Sequence, residues 1–95
     1  MELTYDPRLG KVLRSLSSKD LARIIRIVEL FKEGGFSLNK LYLKKLSRNL
    51  WELRAGKWRL LFGLVKGKAI AVGVFMKKSQ KTPKRELELA RKIKK

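Results

Sequence analysis

The hydrophobic positions of this chain follow two periodicities, which change over near its middle. Up to Phe36 the apolar residues recur at spacings of three and four, as on one face of a helix; from Leu50 to Met76 they come in short, dense runs. Leu9, Val12, Leu13 and Leu16 predict a short first helix ending at about Leu16. Asp6 is its N-cap, and Pro7 takes the first helical position, where a missing N–H costs nothing. Ser17 and Asp20, three apart, form a capping-box pattern that opens a second helix from Ser18 to about Glu33. Its apolar stripe is Leu21, Ile24, Ile25, Val28 and Phe31, and Gly34-Gly35 ends it, one of the two supplying the left-handed C′ position.

The runs Leu50–Arg54, Trp58–Val65 and Ala69–Met76 are rich in β-branched, aromatic and leucine residues and read as strands. Ala55-Gly56-Lys57 and Lys66-Gly67-Lys68 separate them, loops short enough only for antiparallel hairpins, so the three form a meander. Glu2–Tyr5 reads as a short edge strand. Phe36–Asn49 reads as a connection anchored by Leu38, Leu41, Leu43 and Leu46, part of it a helical turn or a strand. After the loop Lys77–Lys81, Thr82 and Pro83 make a second N-cap and N1 pair, predicting a final helix to about Ile93. The expected fold is α+β: an N-terminal helical hairpin packed on a small twisted antiparallel β-sheet, with a C-terminal helix, in one domain of residues 1–95.

Composition narrows the chemistry. Without cysteine or histidine there is no disulfide framework, and a zinc site would need carboxylates alone, so neither a metal nor another cofactor is expected. The N-terminus lacks the layout of a signal peptide, and the apolar runs fall short of the ~20 residues that span a bilayer. The chain reads as a cytoplasmic protein without a membrane partner. Its formal charge is +17; residues 1–39 hold 7 basic and 5 acidic residues, whereas residues 40–95 hold 18 and 3. Such a field concentrates polyanions, which makes nucleic acid the first partner to consider; a solvated lysine-rich surface is the competing reading.

Strand alternation selects the side chains that can cooperate. Glu52 and Arg54 share one face of their strand, and Arg59 shares its face with Leu61 and Gly63. A register that pairs Arg54 with a residue near Arg59 brings both arginines and Glu52 to one surface. Two readings of that constellation stand side by side. One is a structural ladder of cross-strand ion pairs. The other is a phosphate site, in which arginine forks grip phosphate oxygens while Glu52 orients them or takes a proton. Lys77 and Lys78, at the end of the third run, add two donors. Trp51, Trp58, Phe62 and Phe75 read as core, with base stacking as the alternative for any one ring. Lys77–Lys81 lacks the glycines of a phosphate-wrapping P-loop, and no Ser/His/Asp or Cys/His arrangement exists.

Three stretches together match a known pattern: Leu50-Trp51-Glu52-Leu53-Arg54; Trp58-Arg59 opening a hydrophobic strand; and Phe75-Met76-Lys77-Lys78-Ser79-Gln80-Lys81-Thr82-Pro83 followed by Glu86 and Ala90. The chain resembles the HigB-like branch of the RelE/ParE toxin superfamily, most strongly over residues 50–90. The resemblance implies helices on one face of a twisted antiparallel sheet and a basic concavity on the other. It also implies a toxin of a type II toxin–antitoxin pair that enters the ribosomal A site and cuts messenger RNA without a metal. Its partners would then be a cognate antitoxin, the ribosome and mRNA. In such cleavage the 2′-hydroxyl attacks the neighbouring phosphate, which calls for a general base, a general acid for the leaving 5′-oxygen, and cations around phosphorus.

Carried over by position, Arg59 matches the arginine that stabilises the phosphate, while Arg54, Lys77 and Lys78 hold phosphate or supply protons. Glu52 is a candidate base or a structural residue. Lys44 resembles a lysine that contacts substrate or ribosomal RNA, and Lys45, Arg48, Lys57 and Lys81 complete the expected RNA-binding set. The chain departs from the pattern in one respect. Several relatives use a histidine or tyrosine near the site, whereas histidine is absent here and Tyr5 and Tyr42 lie elsewhere. A lysine base needs a depressed pKa, which the surrounding positive charge supplies. A ParE-like inhibitor of DNA gyrase and a non-catalytic RNA-binding module are the alternatives.

Overall fold

Asp6 sets the entry to the first helical segment: its carboxylate accepts the Arg8 backbone N–H at 2.9 Å and the Arg8 guanidinium at 3.0 Å. The hydrogen bonds from Arg8 hold the Asp6 carboxyl below the usual carboxylate range. The computed structural model describes residues 1–77. Within it, the expected first helix divides into a 3-10 turn, Pro7–Leu9, and a six-residue helix α1, Gly10–Ser15. Helix α2, Ser18–Gly34, is the long one at 17 residues. The expected helical hairpin is therefore not built from two comparable helices. The expected C-terminal helix from Pro83, with Thr82 as its cap, lies outside the described residues.

Ser17 caps α2 by accepting the Asp20 N–H at 3.1 Å. The helix buries Ile24, Ile27, Val28 and Phe31, a stripe at spacings of three, one and three residues. Ile25, expected in that stripe, is 46% exposed, and Ile27 stands in its place. At about 100° per residue, Ile25 falls on the far side of Ile24 and Val28 from Ile27. Gly35 ends the helix at φ 56°, its N–H donating to the Phe31 carbonyl, a left-handed turn that a side chain would resist.

Five strands form one sheet: β1 Leu3–Tyr5, β2 Leu43–Ser47, β3 Leu50–Ala55, β4 Trp58–Val65 and β5 Lys68–Met76, in the order β1-β5-β4-β3-β2. Strands β2 to β5 form an antiparallel meander, but β1 runs parallel to β5. The sheet is therefore mixed, a correction to the antiparallel expectation. The chain leaves β1 into the helices and returns to the far edge, so β1 and β5 meet only through that long crossover, the connection that parallel pairing requires. Strand β2 arises within the stretch read as a connection. Its lysines obscure the alternation, and an edge position tolerates them.

Both inner hairpins are tighter than their sequences suggest, because Ala55 pairs with Trp58 and Val65 with Lys68. Each loop is thus two residues. Lys66 and Gly67 both have positive φ, 52° and 79°, the signature of a type I′ turn. Helix α2 covers one face of the sheet, packing Ile24, Val28 and Phe31 with Leu53, Leu60, Phe62 and Ala71. The other face buries Leu50, Leu61 and Val72, with Leu46, Ile70 and Phe75 against them. A bulge in β5 inserts Val72 between the residues paired with Leu61 and Phe62.

Asn49 ties the outer hairpin to the meander. Its backbone is left-handed at φ 54°, and its side-chain amide both donates to the Leu64 carbonyl at 2.9 Å and accepts the Leu64 N–H at 2.8 Å. The side chain thereby extends the β3–β4 ladder by one rung. Asn49→Ala is expected to lower stability by about 1–3 kcal/mol in urea unfolding. Asn49→Gly, which keeps the backbone conformation but not the bonds, falls between the two proteins. Phe31→Ala, which empties the centre of the helix–sheet contact, is expected to cost about 3–5 kcal/mol by the same measurement.

Candidate functional site

The two-residue turn Gly56-Lys57 sets the register of the β3–β4 hairpin, and that register places Arg54 directly opposite Arg59 and Glu52 opposite Leu61. Gly56 takes φ 63°, and a side chain there would also meet Arg23 of α2. Residues directly opposite in a ladder share a face, so Glu52, Arg54 and Arg59 stand together on the side away from α2. The sequence condition for their convergence is met.

Glu52 is buried to 1% exposure between the two arginines. Its Oε2 accepts from Arg54 Nε at 3.2 Å, and its Oε1 lies 3.8 Å from Arg59 Nε. The second distance makes an ion pair but not a hydrogen bond, so among the described residues the buried Arg59 Nε has no hydrogen-bond partner. Arg59 Nη1 donates to the Gly56 carbonyl at 2.6 Å and the Trp58 carbonyl at 2.9 Å. The guanidinium is thus clamped by its own hairpin, with Nη2 uncommitted among the described residues. Burial pushes the Arg59 pKa down; Glu52 opposes that shift and Arg54 adds to it. A desolvated cation beside a second cation, with one carboxylate shared between them, has unspent capacity for an anion.

Lys44 lies opposite Glu52 and so shares the arginine face from edge strand β2. Lys45 lies opposite Trp51, on the helix side, its ammonium 5.6 Å from the centre of the Trp51 ring. The expected RNA-binding lysines are therefore divided between the two faces. Arg48 sits in the β2–β3 turn and Lys57 in the β3–β4 turn. The Lys77 N–H donates to the Lys57 carbonyl at 2.8 Å, so Lys77 follows β5 at the end of the sheet that carries Arg59. Lys78 and Lys81 lie outside the described residues.

Of the four aromatic residues expected in the core, Phe62 and Trp58 are buried, while Trp51 and Phe75 are half-buried. The sequence reading missed a hollow of about 310 Å³ at the sheet edge, walled by Phe36, Leu38, Leu43 and Trp51 and rimmed by Lys40, Lys44 and Lys45. Phe36 stood visible after the glycine pair, but no spacing in the chain relates it to Trp51. Among the described residues no group of three or more Asp and Glu side chains converges to hold a metal. No described helix is long and apolar enough to cross a membrane.

Removing the shared carboxylate leaves two arginines facing each other. Glu52→Ala is expected to destabilise the fold by about 3–5 kcal/mol, the usual loss when one partner of a buried ion pair is deleted. Glu52→Gln keeps an acceptor for Arg54 Nε and loses less. Urea unfolding at low and high salt checks both, and added salt narrows the difference by screening the arginine pair.

No curated protein matches the chain in sequence. Solved structures do match in fold. A double-arginine mutant of the E. coli toxin RelE in the free state superposes with a TM-score of 0.69 at 17% identity, covering 97% of this chain and 95% of that one. The RelE–RelB complex of Pyrococcus horikoshii gives 0.63 at 12% identity, over 79% of this chain and 92% of its match. The RelB–RelE antitoxin–toxin complex of Methanococcus jannaschii gives 0.60 at 19%, over 77% and 88%. In sequence, the model of the family described as phage-derived protein Gp49-like (DUF891) matches residues 11–95. The chain therefore belongs to the phage-derived Gp49-like family, and its fold is the one seen in RelE toxins.

Proposed function

We propose that this protein is the toxin of a type II toxin–antitoxin pair, of the HigB-like kind, and that it cleaves messenger RNA in the ribosomal A site. The observation that carries the reading is the Arg54–Arg59 pair held by buried Glu52 on the face that α2 leaves uncovered. In the proposed reaction the 2′-oxygen of one nucleotide forms a bond to the neighbouring phosphorus while the bond from phosphorus to the 5′-oxygen breaks. The hydroxyl proton goes to a base, and the leaving oxygen receives a proton from an acid. Arg59 Nη2 and the free edge of Arg54 face the charge that develops on phosphorus, donors fixed before the reaction begins.

Glu52 serves in this scheme as a positioning residue. Both of its oxygens are turned to arginine Nε atoms, and its burial keeps it from a substrate hydroxyl. Proton transfer falls to lysines, with Lys77 at the end of the sheet and Lys78, next to it in sequence, as the acid–base pair. Lys44, Arg48, Lys57 and Lys81 hold the RNA backbone. A protein antitoxin covers the basic face in the resting cell, as the resemblance to toxins solved with RelB suggests.

The test is primer extension on a defined messenger RNA bound to ribosomes, beside the same RNA naked. A single cut in the A-site codon, dependent on ribosomes, is expected. Arg59→Ala should reduce it by about 10²-fold or more, the usual scale for losing a transition-state donor, with the circular dichroism spectrum unchanged. Intact RNA in both tubes, with gyrase-linked DNA breaks on induction, would instead identify a gyrase inhibitor. Cleavage by Arg59→Ala at the wild-type rate would remove the arginine pair from the chemistry.

A further inference from the structure

We infer that the hollow at the β2 edge is a base-binding subsite for a single-stranded RNA nucleotide flanking the one held by Arg54 and Arg59. The subsite presupposes the RNA-cleaving reading above and names where the strand goes next. Its floor is aromatic. Phe36 is 42% exposed, its ring centre lies 5.0 Å from that of Trp51, and Trp51 in turn stacks on buried Phe62 at 5.6 Å and 16°. A flat ring entering the hollow meets a platform that is already rigid, the arrangement on which unpaired bases stack with little dependence on sequence.

The rim supplies the complementary charge. Lys40, Lys44 and Lys45 border the hollow, and among the described residues no carboxylate does. Lys45 now holds its ammonium over the Trp51 ring. An arriving base exchanges that cation–π contact for stacking and frees the ammonium for the phosphate that comes with it. Lys44 links the two places, since it borders the hollow while lying opposite Glu52 on the arginine face. Neighbouring strands are about 4.8 Å apart. From Arg54 on β3 to Lys44 on β2 is one such spacing across the sheet and two residues along it, about 8 Å, so RNA leaving the arginines reaches Lys44 within one to two nucleotides and then turns over the sheet edge into the hollow.

Size separates this ligand from a protein segment. A stable protein contact covers about 800 Å² on each partner. A hollow of about 310 Å³ walled by two aromatic rings and two leucines suits one planar ring and its sugar.

The test is an abasic scan. A labelled single-stranded RNA hexamer, intact or with one base removed at each position in turn, is titrated at low salt against the wild-type protein and against Phe36→Leu. Phe36 is exposed enough for that change to leave the fold intact, which circular dichroism verifies. One abasic position is expected to weaken wild-type binding roughly tenfold, the scale of a lost base–aromatic stack. Phe36→Leu should weaken the intact RNA by a similar factor and lose sensitivity to that position. Arg59→Ala should instead weaken every RNA in the set alike.

A flat scan, independent additive losses, or no measurable RNA binding would overturn the subsite. So would a Phe36→Leu protein that binds RNA normally yet loses affinity for an acidic, leucine-containing peptide, which would make the hollow a protein-docking site. Ribosome-dependent cleavage with a flat scan would keep the nuclease and discard the subsite. A sharp abasic position without cleavage would keep the subsite and discard the nuclease.

Discussion

Two arginines face each other across the β3–β4 hairpin, and the structure depends on what holds them there. Like charges directly opposite in a ladder destabilise a sheet, and Arg59 is additionally desolvated. Glu52 compensates by meeting both Nε atoms from a buried position between them. Burying a carboxylate is itself expensive, and a well-packed apolar trio would commonly be as stable or more so. What the charged arrangement adds is a pair of guanidinium groups set opposite each other, with the buried Arg59 Nε unsatisfied among the described residues. That is a poor way to stabilise a sheet, and it leaves guanidinium donors with capacity for an anion.

The rest of the fold keeps that pair aligned. A slip of one residue in the hairpin would turn Arg59 into the apolar face under α2. The two-residue turn resists such a slip at one end, where Gly56 adopts positive φ beneath Arg23. Asn49 resists it at the other end by pairing with both backbone groups of Leu64. Between these ends, the residues alternating with the charged ones, Leu53, Trp58 and Leu60, are locked into the helix-side core. The charged trio on one face is thus registered by packing on the other.

A run of aromatic rings joins the end of α2 to the sheet. Phe31 meets Phe62 at 4.7 Å and Phe36 at 5.5 Å, and Phe36 reaches Trp51 on β3. These contacts place the segment after Gly35 against the β2 edge, where the lysine-rich strand keeps its outer side charged. An edge protected in this way resists pairing with other chains. The same lysines border the aromatic hollow, so protection of the edge and attraction of anions have one source.

Local signals in the sequence determined much of this protein. Ser17, Gly35 and the short loops at Gly56 and Gly67 marked the ends of helix and strands, because caps and tight turns depend on a few adjacent residues. Strand alternation placed Glu52 with Arg54 on one face. Only the tertiary structure decided the rest. That β1 would lie parallel to β5, that Leu43–Ser47 would form an edge strand, and that Ile27 rather than Ile25 would face the sheet depend on partners distant in the chain. The division of Lys44 from Lys45 follows from that edge pairing, and the hollow exists because Phe36 and Trp51, fifteen positions apart, meet across the end of the core. Periodicity reports which face a residue occupies on its own element; which faces meet is set by long-range packing, which no local spacing encodes.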